Sequence, residues 1–327
     1  MSVIPDRISG TVPSLVRYPC HSIAGRMTGM RILVAGGTGF IGSRLAPLLV
    51  DRGHEVVVLA RNPNAEPMSA DVVLVQGNVT DPETLDEAFQ GIDGIVNLVA
   101  LSPLFVPEGG ERMHDWIHRA GTGNLVRAAE RHGVRRFIQV SAINADPDAP
   151  TAYLRAKGHA EAIVRDTDIE WTILRPSVVF GDGGEFVTFT RRVAPPYVSP
   201  LPGGGRTRFQ PIWVEDFVPL VADVLEDDAH TGSTYEIGGP EVLTLAAIAK
   251  LVHAAAGRRT TVVPVPMPLA RLGMTIGDAI PGFPFGRDQY RSLEMDLVVE
   301  TNDVRAFGID PADLTPLSAY LEPSTNR

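Results

Sequence analysis

Short apolar runs alternating with helix-length amphipathic stretches predict an α/β fold, a doubly wound parallel sheet with a smaller C-terminal lobe. A glycine-rich turn after the first apolar run supports this. So does the loss of alternation after about residue 180, where Ala194-Pro195-Pro196 and Pro202-Gly203-Gly204-Gly205 interrupt the pattern. With 327 residues, 44% of them hydrophobic, the chain can bury a large core. The expected divisions are a disordered leader over 1–29, a main domain over 30–180 and a mixed α/β lobe over 181–327, able to exchange elements with the main domain.

The leader carries Pro5, Pro13, Pro19 and scattered arginines but little core-forming surface. Met27 and Met30 precede the first strand, so the leader reads as a disordered tail or the product of an upstream start. Arg31 to Ala35 is a compact apolar run that reads as a strand, and Phe40 to Arg52 reads as a helix in which Pro47 should cost a hydrogen bond. Further strands are expected at Glu55–Ala60, Val72–Gln76, Ile92–Ala100, Arg136–Ser141 and Trp171–Arg175. Helices are expected at Pro82–Phe89, Arg112–His132 and Ala152–Thr167. Beyond residue 180, Gln210–Val218 and Tyr235–Ile237 read as strand material. The Pro-rich apolar stretch Val262–Phe285 reads as a lid over a substrate site, because it lacks the basic face of a lipid-binding segment.

Acidic residues outnumber basic ones by 39 to 29, a surface field that repels polyphosphate and argues against a nucleic-acid partner. The single cysteine, Cys20, allows no internal disulfide and fits a reducing, cytoplasmic setting. The longest apolar stretch, Ile95–Val106, is too short for a membrane span and is broken by Asn97, Ser102 and Pro103. No secretory signal is evident. His114 and His118 are spaced for a shared metal, yet no third ligand accompanies them, so a helix-surface pair or a cleft-lining residue is the expected reading.

The strand ending at Ala35 runs into Gly36-Gly37-Thr38-Gly39-Phe40-Ile41-Gly42 and then a helix. Glycines at this spacing permit a tight turn and close backbone approach to a pyrophosphate, while the helix start offers free N–H donors. Dinucleotide binding, as in a Rossmann domain, is therefore expected, with Gly36, Thr38, Gly39, Phe40, Ile41 and Gly42 as candidate contacts. The second strand ends in Arg61 rather than in an acidic residue, which favours a 2′-phosphate and so NADP(H), with NAD(H) the alternative.

Tyr153 and Lys157 stand one helical turn apart. A nearby ammonium stabilises a phenolate, so Tyr153 is a candidate to exchange a proton with a carbonyl or alcohol during hydride transfer. Lys157 is one of two lysines in the chain, the other being Lys250. Ser141, at a strand end, is a candidate to orient the substrate oxygen, and equally an ordinary strand-end cap.

Together the glycine loop, Ser141, Tyr153 and Lys157 resemble the short-chain dehydrogenase/reductase superfamily in its extended or atypical branch. Gly121-Thr122-Gly123-Asn124-Leu125 looks like that family's helix motif. Arg175-Pro176-Ser177-Val178-Val179-Phe180-Gly181 resembles its nicotinamide-side strand and loop, and Trp213-Val214-Glu215-Asp216 its entry to the smaller lobe. The similarity runs from about residue 31 to 322. It implies that Ala100 and Pro176 join the cofactor site, Asn78 stands where an aspartate often contacts adenine, and His118 occupies the position of a catalytic asparagine.

Within the superfamily, Val140-Ser141-Ala142 with Ala152–Lys157, Gly238–Thr244 and Arg287-Asp288-Gln289 look most like prokaryotic relatives of the nucleotide-binding accessory subunit of respiratory complex I. The superfamily resemblance implies an NAD(P)-dependent oxidoreductase or epimerase-like enzyme. The subunit resemblance implies an alternative: a non-catalytic NADP(H)-bound structural or redox-sensing protein, peripherally associated with a respiratory complex.

Overall fold

The structure is a computed structural model that describes residues 29–63, 68–277 and 286–322. The expected leader (1–28, with Cys20) and the end of the expected lid (278–285) lie outside the described residues.

In chain order the main body comprises β1 (Arg31–Ala35), α1 (Gly42–Asp51), β2 (Glu55–Ala60), β3 (Val72–Gln76) and β4 (Gly94–Asn97). There follow α2 (Arg112–His114), a π-helical stretch (Asp115–Ala120), α3 (Gly121–His132), β5 (Arg136–Val140), α4 (Ala152–Arg165) and β6 (Glu170–Pro176). The lobe adds β7 (Val179–Phe180), α5 (Glu185–Val193), β8 (Tyr197–Pro202), β9 (Arg208–Phe209), β10 (Ile212–Trp213) and α6 (Val214–Glu226). It ends with β11 (Ser233–Ile237), β12 (Leu243–Thr244), α7 (Leu245–Ala255), β13 (Thr260–Val265), α8 (Met267–Gly277), α9 (Arg287–Ser292) and α10 (Leu317–Tyr320).

The seven-stranded sheet has the order β11-β6-β5-β4-β1-β2-β3, and every neighbouring pair is parallel. Its strands are apolar on both faces because both faces are covered. Ile32, Val34, Val56 and Val58 pack with Leu45 and Leu49 of α1 and with Phe217, Val221 and Val224 of α6. Leu33, Ala35, Val57 and Phe137 pack on the other side with Leu125, Ala128 and Ala129 of α3 and Val164 of α4. Chain order reverses between β1 and β4, the place where doubly wound sheets open a crevice beyond their carboxyl ends.

Two local expectations are corrected. Pro82–Phe89 is not a helix. Only Pro82–Thr84 forms a 3-10 turn, and the chain continues in i to i+3 turns as Leu85 N–H bonds Pro82 at 3.3 Å and Phe89 N–H bonds Asp86 at 3.3 Å. Thr84 competes with the helical ladder by accepting from the Asn78 amide at 2.9 Å and donating to the Asp81 carbonyl at 2.7 Å. Gln210–Val218 is strand only over β10. At Val214 it becomes α6, whose first turn carries Glu215 and Asp216, charges that favour a helix N-terminus. The expected lid begins within β13, which pairs with β8 in parallel.

Helix α1 continues through Pro47, as α6 does through Pro219. After residue 180 the chain returns to the main body twice, with α6 against α1 and with β11 at the sheet edge beside β6. A third cluster forms the lobe interior, where Phe180, Phe186 and Phe209 meet Leu245, Ile248 and Val252 of α7.

Candidate active site

The turn from β1 into α1 is held by a hydrogen bond from Gly39 N–H to the Gly36 carbonyl at 3.0 Å. Gly36 has φ +85°, and a Cβ there would lie 3.1 Å from the Leu98 and Val99 backbone at the exit of β4. A Cβ on Gly42 would stand 2.4 Å from the Gly36 carbonyl oxygen, so only glycine lets α1 begin this close to the strand end. No side chain caps α1 and no acidic residue occupies its first turn, so an anion placed there meets the positive end of the helix dipole without competition from a carboxylate. This cradle, at the sheet's reversal point, fits a dinucleotide pyrophosphate.

Gly36, Gly39, Phe40, Ile41 and Gly42 line a cleft of about 1040 Å³ together with Ala100, Ser141, Tyr153, Lys157 and Pro176. Ser141 follows β5, its amide donating to the Leu174 carbonyl at 2.7 Å, and its buried Oγ has no hydrogen-bond partner. Thr151 caps α4 by accepting from Leu154 N–H at 3.3 Å, which sets Tyr153 and Lys157 in the first turns of that helix. Lys157 is 2% exposed and its Nζ donates to the Val140 carbonyl at 3.0 Å. Nζ lies 6.0 Å from the centre of the Tyr153 ring.

Burial pushes the Tyr153 phenol above its ordinary value of 10.0 and brings the Lys157 ammonium down from 10.5 to about 8, with the Glu161 carboxylate opposing the latter shift. In this state the tyrosine is a neutral phenol at neutral pH.

The other expected site residues lie elsewhere. Thr38 is outside the cleft lining, whereas Arg61 and Asn78 border a second depression of about 460 Å³ with Gln76, Gly77, Thr84 and two glutamates, Glu83 and Glu87. Asn78 Oδ1 is already bonded to Thr80, from its N–H at 3.1 Å and its hydroxyl at 3.0 Å. His118 sits behind Tyr153 rather than on the cleft wall. Its Nε2 accepts from Leu101 N–H at 3.4 Å, and burial, then the Lys157 charge, holds its pKa well below the usual imidazole range.

The histidine pair is not on the helix surface. His114 and His118 are each 2% exposed, and their rings stack at 5.7 Å between centres and 10° between planes. Both meet the Tyr153 ring edge to face, at 5.6 and 5.3 Å. Burial lowers the His114 pKa as well, against the attraction of Asp288. The π-helical stretch, a form often found at functional sites, carries His118. Among the described residues no group of three or more His, Cys, Asp or Glu could hold a metal ion, and no helix is long and apolar enough to cross a membrane.

The sequence marks Asp288 only within the Arg287-Asp288-Gln289 likeness and assigns it no role. Asp288 of α9 accepts from Ala152 N–H, the first amide of α4, at 2.6 Å, and the next residue, Gln289, donates to the Pro103 carbonyl at 3.2 Å. Helix α9 thus ties the Tyr153 helix to the loop after β4. The 136 positions between Asp288 and Ala152 hide the contact from any local pattern.

A family model described as NAD(P)H-binding matches residues 36–192. The chain is 28% identical over 302 residues to the mitochondrial NADH dehydrogenase [ubiquinone] 1 alpha subcomplex subunit 9 of Arabidopsis thaliana, covering 87% of this chain and 74% of that one. It is also 28% identical over 278 residues to the 3 beta-hydroxysteroid dehydrogenase/Delta 5-->4-isomerase of Mycobacterium tuberculosis, covering 75% and 74%. UDP-glucose 4-epimerase of Thermus thermophilus, solved with NAD, has a TM-score of 0.67 at 21% identity, covering 90% of this chain and 97% of that one, a likeness of fold. Cradle, sheet order and these relatives agree: residues 36–192 form an NAD(P)H-binding domain, and the chain is similar in sequence to the complex I subunit and to the hydroxysteroid dehydrogenase, on a fold shared with the epimerase.

Proposed function

We propose that the protein is an NADP(H)-dependent oxidoreductase or epimerase-like enzyme acting on a carbonyl or secondary-alcohol substrate. The observation that carries this reading is the convergence of the Gly36–Gly42 cradle, Ser141, Tyr153 and Lys157 on one cleft. When bound, the reduced dinucleotide supplies the hydride that, with one proton, turns a carbonyl into an alcohol. Gly36, Gly39, Phe40, Ile41 and Gly42 hold its pyrophosphate, Ala100 and Pro176 flank the nicotinamide end, and Asn78 faces the adenosine end. Arg61 receives a 2′-phosphate, the basis for NADP(H) over NAD(H), although Glu83 and Glu87 share its depression.

Ser141 Oγ, buried without a partner, donates to the substrate oxygen. Tyr153 holds its proton because burial disfavours the phenolate, which suits delivery of that proton in the reductive direction. Lys157 keeps the ammonium beneath the Tyr153 ring and eases the charge left on the phenolate afterwards. His118 acts as a positioning residue, holding the Leu101 amide and bracing the tyrosine ring. The lobe beyond residue 180 supplies the substrate side.

The test compares Tyr153→Phe with the parent protein in NADPH consumption across a panel of ketones. Loss of the phenolic proton donor is expected to lower kcat by about 100-fold or more, with NADPH affinity nearly unchanged. Equal turnover in the variant rejects the mechanism.

A second reading rests on the likeness to the complex I subunit over 87% of this chain. In it the protein retains NADP(H) as a structural or redox-sensing group on a respiratory assembly. It expects cofactor retained stoichiometrically through purification and no turnover across the same panel.

A further inference from the structure

The wall of the cleft beyond Tyr153 is apolar. Phe186, Phe189, Leu201, Phe209, Leu293 and Leu297 line it, in a cleft whose whole volume, cofactor end included, is about 1040 Å³. Among the described residues the charged side chains on its wall are Lys157, Glu185 and Arg192. Lys157 is bonded to the Val140 carbonyl, while Glu185 and Arg192 are exposed to solvent, with the Arg192 guanidinium 5.3 Å over the Phe105 ring.

Most polar groups on the wall are already committed. Ser177 Oγ donates to the Leu297 carbonyl at 2.7 Å and Ser292 Oγ to the Asp288 carbonyl at 2.9 Å. Gln289 donates to the Pro103 carbonyl at 3.2 Å and accepts from Gly286 N–H at 2.8 Å, and Ser102 Oγ accepts from Leu104 N–H at 3.3 Å. Ser141 Oγ has no such partner.

This distribution discriminates between substrate classes. Among the described residues a diphosphate would find no interior cation other than Lys157, which stands beside Tyr153, and each sugar hydroxyl left unpaired against the wall would cost on the order of 1–3 kcal/mol. An apolar body gains about 25 cal/mol for each Å² it buries there. Resting on the oxidoreductase reading above, we propose that the substrate is a bulky, uncharged hydrophobic ketone or secondary alcohol, polycyclic or isoprenoid in body, whose oxygen meets Ser141 and Tyr153.

Calorimetric titration of the full chain in the presence of NADP+ tests this directly, with androst-4-ene-3,17-dione and geranylacetone as apolar ketones and UDP-glucose as the polar probe. At least one ketone is expected to bind with a negative heat-capacity change, and about tenfold or more tighter than UDP-glucose. Leu293→Glu, which puts a charge on the apolar wall, is expected to weaken ketone binding about tenfold or more with NADP+ affinity unchanged. Phe189→Ala, at a partly exposed wall position, serves the same purpose if the glutamate variant does not fold, and is expected to weaken it severalfold. The proposal is overturned if neither ketone binds, if UDP-glucose binds as tightly, or if the folded variants bind ketone like the parent. Ketone binding without turnover would uphold the substrate class and reject the oxidoreductase reading. Turnover of UDP-glucose alone would do the reverse.

Discussion

At the scale of single residues, Lys157 carries the clearest electrostatic consequence. Its folded-state pKa of about 8 lies below the ordinary 10.5, so between these values the unfolded chain binds more protons than the folded one. Stability of the cofactor-free protein should therefore rise as pH increases from about 8, until near pH 10 the buried Tyr153 phenol, whose pKa is raised, begins to oppose it. Below pH 8 the buried ammonium costs about 3 kcal/mol, at about 1.4 kcal/mol per pH unit. Denaturant titrations at pH 7 and pH 9.5 should show Lys157→Met more stable than the parent at pH 7, with most of the pH dependence gone. An unchanged pH dependence would remove the argument. Tyr153, Lys157 and Ser141 were legible in the sequence because a helical turn and a strand end place side chains by local geometry alone. The placement of His118 was not, since whether a histidine faces a cleft or lies behind a tyrosine depends on how α2, α3 and α4 pack.

Among the elements, α9 shows how six residues far along the chain support a helix start. Replacing Asp288 with alanine leaves the first amide of α4 without its acceptor and should cost about 1–3 kcal/mol. It should lower kcat more than it changes NADPH affinity, because it frees the end of α4 that carries Tyr153. Asp288→Asn, which keeps an acceptor oxygen, should recover most of both. If asparagine fares no better than alanine, the hydrogen bond is not what matters. Strands β1, β2 and β3 match the sequence expectation, as runs of valine, leucine and isoleucine bounded by glycine or charge define their ends. The stretch at Pro82–Phe89 and the helix α6 depart from it. Thr84 diverts the backbone bonds in the first, and in the second the apolar start of a helix buried around most of its circumference looks like a strand by composition.

For the molecule as a whole, the order of the seven-stranded sheet brings the Gly36–Gly42 loop, the β4 exit and the start of α4 to one edge. A ligand there stabilises the fold by mass action, about 2.7 kcal/mol at a concentration 100 times its Kd. At equal concentration NADPH should raise the Tm more than NADH, and Arg61→Ser should abolish the difference. A larger shift with NADH would reassign the cofactor. The α/β class and the crevice were legible from alternation and the glycine spacing. The apolar character of the cleft was not, because its wall draws on α5, β8, β9 and the segment after α9, which meet only in three dimensions.

The proposed oxidoreductase performs chemistry on a carbonyl in this crevice rather than merely storing a dinucleotide there. The most direct measurement incubates the protein with a hydrophobic ketone and NADPH deuterated at the transferable C4 position, with Tyr153→Phe in parallel, and follows product by mass spectrometry. Deuterium at the carbinol carbon of the product alcohol, formed by the parent and reduced about 100-fold or more in the variant, is the predicted result. Absence of labelled alcohol from a parent protein that nevertheless holds NADPH, or equal labelling by both proteins, would contradict it.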